Sequence, residues 1–176
     1  MVDLRILHYP APVLLEIGKP VESHEFGQEL SETADKMFQL MYEAGGVGLA
    51  TPQVGISKRF FIMDVPEQDS ERVKAIIINP QIVHCEGEQV GDEGCLSFPG
   101  IYQTVSRQMR VIVKGQDLKG NEIELDVKGL AARCVLHETD HCDGIVFIDR
   151  VSALKRELAK RKIAKLRKTG KWEAVI

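Results

Sequence analysis

Little in this chain would staple or anchor it. Its four cysteines, Cys85, Cys95, Cys134 and Cys142, are widely spaced and form no CxxC pair, so no disulfide framework is expected and a reducing cytoplasm is. The opening Met1-Val2-Asp3-Leu4-Arg5 lacks the apolar core of a secretory signal, and no apolar run is long enough to span a bilayer. Internal repeats and low-complexity segments are absent as well. A P-loop is also missing: Gly46-x-Gly48 has neither a third glycine at the right spacing nor the following Lys-Ser/Thr. What remains is a chain of 176 residues with 44% hydrophobic content, enough to bury a sizeable core without covalent help. One domain spanning 1–176 is the expected organisation.

Against that background, His137-Glu138-Thr139-Asp140-His141 stands out. At 3.6 residues per turn, positions 137 and 141 of a helix lie about 40° apart around the axis and about 6 Å apart along it, near enough for two imidazoles to grip one divalent ion. Glu138 then sits beside that ion as a candidate proton carrier. Two histidines do not complete a tetrahedral site, so a third ligand must come from elsewhere. Cys134 shares the helix face but lies about 7 Å along the axis from the midpoint of the pair, too far for a short thiol, and reads better as pocket wall. Cys142 is turned about 100° from His141 and should face the core. Cys85, beside Ile82, Val83 and His84, reads as a small buried hydrophobe in a strand. Cys95 remains, in Glu93-Gly94-Cys95-Leu96-Ser97-Phe98-Pro99-Gly100, where flanking glycines permit close backbone approach, and it is the best third ligand.

A third segment, Gly46-Val47-Gly48-Leu49-Ala50-Thr51-Pro52-Gln53, reads as a turn. Its free backbone groups and one amide side chain suit a site that hydrogen-bonds a peptide and steadies an oxyanion.

Periodicity supplies the frame. Leu30, Ala34, Met37, Phe38 and Met41 fall at helical spacing and predict a first helix over about 28–44, ending at Gly45-Gly46. Phe60 to Val65, Ala75 to Ile78, Ile82 to Cys85, Arg110 to Lys114 and the alternating Glu122 to Val127 read as short strands, broken by Pro66, Pro80 and Gly120. Their succession without intervening helices argues for antiparallel pairing and an α+β fold. The histidine helix should run from about 130 to 142 and a last helix from about 152 to 169. From 155 to 171 nine lysines and arginines face only Glu157, a local balance of +8 in a chain of net charge −3, so the remainder carries −11. Two readings of that helix stand side by side. It is a solvated brace, with Leu154, Leu158, Ile163 and Leu166 turned inward, or it is a surface that attracts a polyanion.

Taken in order, Gly46-x-Gly48-Leu49-Ala50-x-x-Gln53, Glu93-Gly94-Cys95-Leu96-Ser97 and His137-Glu138-x-Asp140-His141 resemble the three signature motifs of the peptide deformylases. Similarity extends from Ile6-Leu7-His8-Tyr9-Pro10 to Gly144-Ile145-Val146-Phe147-Ile148-Asp149. Thr51 departs from the bacterial pattern, which usually has a second alanine there. The resemblance implies antiparallel sheets packed around a central metal-binding HExxH helix, with an amino-terminal and a carboxy-terminal helix. It further implies one divalent metal on Cys95, His137 and His141, Fe(II) in the cell with Zn(II), Ni(II) or Co(II) in preparations. Glu138 is implied as acid and base, and Gln53 and the Leu96 N–H as oxyanion donors. Gly48 and Gly94 are expected to align the peptide, with Val47, Leu130 and Cys134 walling a methionine pocket. The implied substrates are N-formylmethionyl nascent peptides, and the basic terminal helix is expected to dock at the ribosome near its exit tunnel. Spacing alone also admits an HExxH zinc endopeptidase or a catalytically silent binding protein of the same fold.

Overall fold

The computed structural model describes residues 4–66 and 72–172; Met1-Val2-Asp3, part of the opening that lacks a signal core, lies outside them. Among the described residues the α+β architecture has a five-stranded antiparallel sheet and a separate antiparallel pair, with three α-helices. In chain order the elements are α1 (Gln28–Glu43), β1 (Gly48–Ala50), β2 (Phe60–Val65), β3 (Val73–Glu86), β4 (Gln89–Gly94), β5 (Tyr102–Arg107), β6 (Arg110–Gln116), β7 (Glu122–Lys128), α2 (Gly129–Cys142) and α3 (Ala153–Lys168). The large sheet has the order β1-β2-β3-β6-β7, and β4 pairs with β5 alone. No helix is long and apolar enough to cross a membrane, among the described residues.

The near-continuous apolar run of β2 is explained by burial on both faces. Phe61, Met63 and Val65 point into a core shared with α2, whereas Phe60 and Ile62 point into one shared with α1. The helical stripe of α1 closes that second core, with Ala34, Met37, Phe38 and Met41 buried and Leu30 partly so. On the opposite face α2 lays Ala131, Ala132, Val135 and Cys142 against the sheet. A third core joins Phe98, Val105, Phe147 and Ile148 to Ala159 and Ile163 of α3.

Several expectations need correction. Ala75 to Ile78 and Ile82 to Cys85 are one strand, β3, because Pro80 falls where pairing passes from β2 to β6 across a register shift between Ile78 and Gln81. Asn79 turns the backbone there at φ 53°, and its amide bonds Val21 and Gln116, so the proline removes no needed ladder bond. Cys85 is exposed instead of buried, since the far half of β3 runs on past the core. The glycine-rich segment is not a single turn: Gly48–Ala50 pairs with β2 and only Thr51–Val54 coils, as a 3₁₀ turn. Thr51 is buried, and its hydroxyl donates to the Lys58 carbonyl at 2.7 Å. Leu154 and Leu158 are 71% and 55% exposed, so α3 is attached by Ala159, Ile163 and Leu166, one face at i, i+4 and i+7. Strands β4 and β5, which hold Glu93 and Arg107, were not expected.

Candidate metal centre

Helix α2 starts at Gly129, whose φ of +55° suits glycine, and ends where Gly144, at φ +70°, takes the chain back against Glu16. Between these points His137 and His141 share one face, their ring centroids 5.0 Å apart. Cys95 reaches them from the turn after β4, a turn closed by Phe98 N–H to the Cys95 carbonyl at 2.8 Å and anchored by the fully buried Phe98 ring. The ligand atoms of Cys95, His137 and His141 all lie within 4.8 Å of one another. The Cys95 sulfur is 3.3 Å from His141 Nε2. One soft thiolate and two imidazoles converging this closely fit a divalent ion with bonds of about 2.0–2.3 Å. The other cysteines lie apart from this cluster: Cys134 contacts the Val47 carbonyl, Cys142 is in the core and Cys85 faces solvent.

Beneath the histidines lies a buried charge network. Glu93 Oε2 lies 3.0 Å from His137 Nδ1; accepting that proton would leave Nε2 as the metal-facing nitrogen. Arg107 binds the same carboxylate through two bonds of 2.8 and 3.0 Å and also donates to Asp140 at 2.6 Å. Arg133 adds a bond to Glu93 at 2.8 Å, and Arg150 grips Asp140 through two nitrogens. Burial alone would raise the Glu93 carboxyl, but hydrogen bonds from His137 and Arg107 pull it well below the usual range. A buried charge cluster of this kind stands only when its members are paired. Glu138 is treated differently: burial pushes its pKa up to about 7, and its Oε2 has no hydrogen-bond partner. A buried carboxylate with one oxygen unpartnered beside convergent ligands is a candidate for proton exchange.

Of these residues, Cys95, His137, Glu138, Glu93 and Arg133 border a cavity of about 600 Å³. Gln53 is held at both ends of its amide. Its carbonyl oxygen accepts the Ala50 N–H at 2.9 Å, so the NH₂ group must face the Cys95 sulfur at 3.4 Å and the Ser97 hydroxyl at 3.3 Å. Gly48 has room for no side chain, since a Cβ there would lie 2.5 Å from a Glu138 oxygen and 2.7 Å from the Cys134 sulfur. At Gly94 a Cβ would come within 2.7 Å of the Tyr102 ring. Gly48 lies on an edge strand of the large sheet and Gly94 at the end of β4, and both line the cavity. Val47, Leu96, Leu130 and Cys134 contribute to its wall, whereas His141 lies behind it, 1% exposed. Thus the residues assigned to the site from the sequence lie on this cavity, with His141 directly behind it. Arg107, Arg133 and Arg150 were missed, having no local signal, and so were Ile6 and His8, which line the same cavity.

Comparison with known proteins follows the same lines. The family profile described as polypeptide deformylase matches residues 3–157. The peptide deformylase of Acidobacterium capsulatum is 47% identical over 167 residues, covering 95% of this chain and 97% of its own. Among solved structures, the peptide deformylase of Legionella pneumophila superimposes with a TM-score of 0.85 at 41% identity, covering 98% of this chain and 99% of that one. A Met-Ala-Ser-bound peptide deformylase of Acinetobacter baumannii does so at 0.81 and 36% identity, covering 85% and 99%.

Proposed function

Because this chain belongs to the polypeptide deformylase family, we propose a division of labour among the cleft residues. The chain is a hydrolase that removes the formyl group from N-formylmethionine at the start of nascent polypeptides. Cys95, His137 and His141 would hold a divalent metal. A divalent ion there supplies Lewis acidity, lowering the proton affinity of the attacking water. Glu138 takes the proton as water oxygen bonds to the formyl carbon. The pinned Gln53 amide and the Leu96 N–H donate to the oxygen that gains charge. The carbon–nitrogen bond then breaks, Glu138 passes its proton to the leaving amine, and formate and a free amino terminus result. The observation carrying this reading is a buried Glu138 whose Oε2 has no hydrogen-bond partner, beside three convergent ligand atoms.

Substrate placement follows from the edge strands. Backbone groups at Gly48 and Gly94 align the peptide as an added strand, while Val47, Leu130 and Cys134 receive the methionine side chain. The bound Met-Ala-Ser of the Acinetobacter baumannii relative has the composition of such a deformylated peptide. Fe(II) is the resident ion in our reading, with Zn(II), Ni(II) or Co(II) accepted by the same donors. The chain works in the cytoplasm as one domain. Its α3 docks near the ribosomal exit tunnel, a location supported by the nine-to-one excess of positive charge from 155 to 171.

One experiment tests the core of this reading: anaerobic purification with metal analysis, followed by a formate assay on formyl-Met-Ala-Ser. Stoichiometric iron and formate release are expected. A metal-loaded chain that releases no formate rejects the assignment.

A further inference from the structure

We infer that Trp172 is a positioning residue for the Gln53 side of the cleft, supplied by a part of the chain that follows the family match. That match ends at 157, yet the chain beyond it stays on the body. Ala159 and Ile163 are 3% and 2% exposed. After Lys168, Gly170 turns the backbone at φ +66° and Lys171 N–H bonds back to the Leu166 carbonyl at 3.0 Å. That reversal delivers Trp172 onto the amino-terminal segment. There the indole is 4% exposed and donates its N–H to the Tyr9 carbonyl at 2.7 Å. Its ring lies against His8 at 5.8 Å and edge-on to Phe98 at 6.2 Å. A buried indole with a satisfied N–H is a rigid anchor.

The segment it anchors is a strut between the two loops of the site. Leu7 N–H bonds the Gln53 carbonyl at 2.8 Å, and two residues later Tyr9 N–H bonds the Ser97 carbonyl at 3.0 Å. The Tyr9 ring stacks on Phe98 at 4.9 Å, and Phe98 closes the turn that presents Cys95. Ser97 also accepts from the Gln53 amide at 3.3 Å. Ile6 and His8 of the strut face the cavity directly. Removing the indole opens a void under Tyr9 and Phe98 and frees the Tyr9 carbonyl, so the spacing of Gln53 from Cys95 loses its brace. This role rests on the reading of Gln53 as an oxyanion donor.

The chain has one tryptophan, so its emission reports on this site alone. The test uses the full-length, metal-loaded chain, well below the melting temperature of each variant. Emission is followed on titration with Met-Ala-Ser, and kcat and KM for formyl-Met-Ala-Ser are measured for the parent, Trp172→Phe and Trp172→Ala. Peptide binding should shift the parental emission. Trp172→Ala should lose about 10-fold in kcat/KM, mostly in kcat, with metal content unchanged, because a displaced donor weakens the transition state more than the ground state. Trp172→Phe, which keeps a ring but no N–H, should recover part of the loss. A lower melting temperature with parental kcat and KM in the alanine variant would make Trp172 mere packing and overturn the inference. If that variant does not fold, parental kinetics in Trp172→Phe together with a peptide-indifferent emission of the parent overturn it equally. A parent that releases no formate rejects the reading of Gln53, and the inference with it; a working parent with indifferent variants rejects the inference alone.

Discussion

Helices α2 and α3 are nearly equal in length, 14 and 16 residues, and treat charge in opposite ways. In α2 the charged Arg133, Glu138 and Asp140 are buried together with His137 and His141. In α3 only Ala159 and Ile163 are buried, and the basic side chains lie on the outer surface. A charge inside the protein is costly unless each partner is placed well, so α2 fixes geometry. A charge in solvent costs little and adds little to stability. It is free to act at a distance, and α3 therefore carries a field more than a structure. In the proposed reading, the contrast separates chemistry from location along the chain.

The largest test of that separation is Glu138→Gln. The amide keeps the shape and removes the proton acceptor, so metal content should hold while turnover falls by about 10² to 10⁴. Near-parental formate release by a metal-loaded variant would remove Glu138 from the mechanism. Next in size is Glu93→Gln, which weakens the partner of His137 and leaves Arg107 and Arg133 short of a counter-charge. Metal affinity, read by chelator competition, should drop about 10- to 100-fold. Unchanged affinity would mean that the network serves folding only.

Smaller effects are expected on α3. Ile163→Val should cost about 0.5–1.5 kcal/mol of stability, whereas Leu158→Ala, at an exposed position, should stay within about 0.5 kcal/mol. Equal drops on thermal melting would contradict attachment through Ala159, Ile163 and Leu166. The smallest effect on chemistry is predicted for replacing Lys160, Arg161, Lys165 and Lys168 together by glutamate: tripeptide turnover should stay within a few-fold. Ribosome binding should weaken, its log–log salt slope falling by about 0.7–0.9 for each phosphate no longer neutralised. Parental sedimentation with ribosomes across a salt series would reduce α3 to a brace.

What could be read from the sequence was whatever is local in it. The i, i+4 histidines fixed their own helix, and the unbroken apolar run of β2 announced a strand. The two-face burial of that strand was not announced, because it depends on which helices cover it. Pro80 misled for a related reason: a proline breaks a strand only if its missing N–H was needed, and that is decided by the neighbours of β3. Leu154 and Leu158 fit a helical stripe as well as Ile163 does, but the body beneath α3 begins one turn later. Arg107 was invisible. Its function arises from meeting Glu93 and Asp140, which lie 14 and 33 positions away, and no window of sequence contains that meeting.

Gly48 has a consequence for breadth. With Glu138 and Cys134 filling the space a Cβ would need, Gly48 presents plain main chain to the cleft, and in the proposed placement main chain would offer the same donors and acceptors to every peptide laid along it. A stretch of bare main chain, used in that way, would not tell one downstream residue from another by its shape. Such indifference suits an enzyme whose clients share their first residue and almost nothing else.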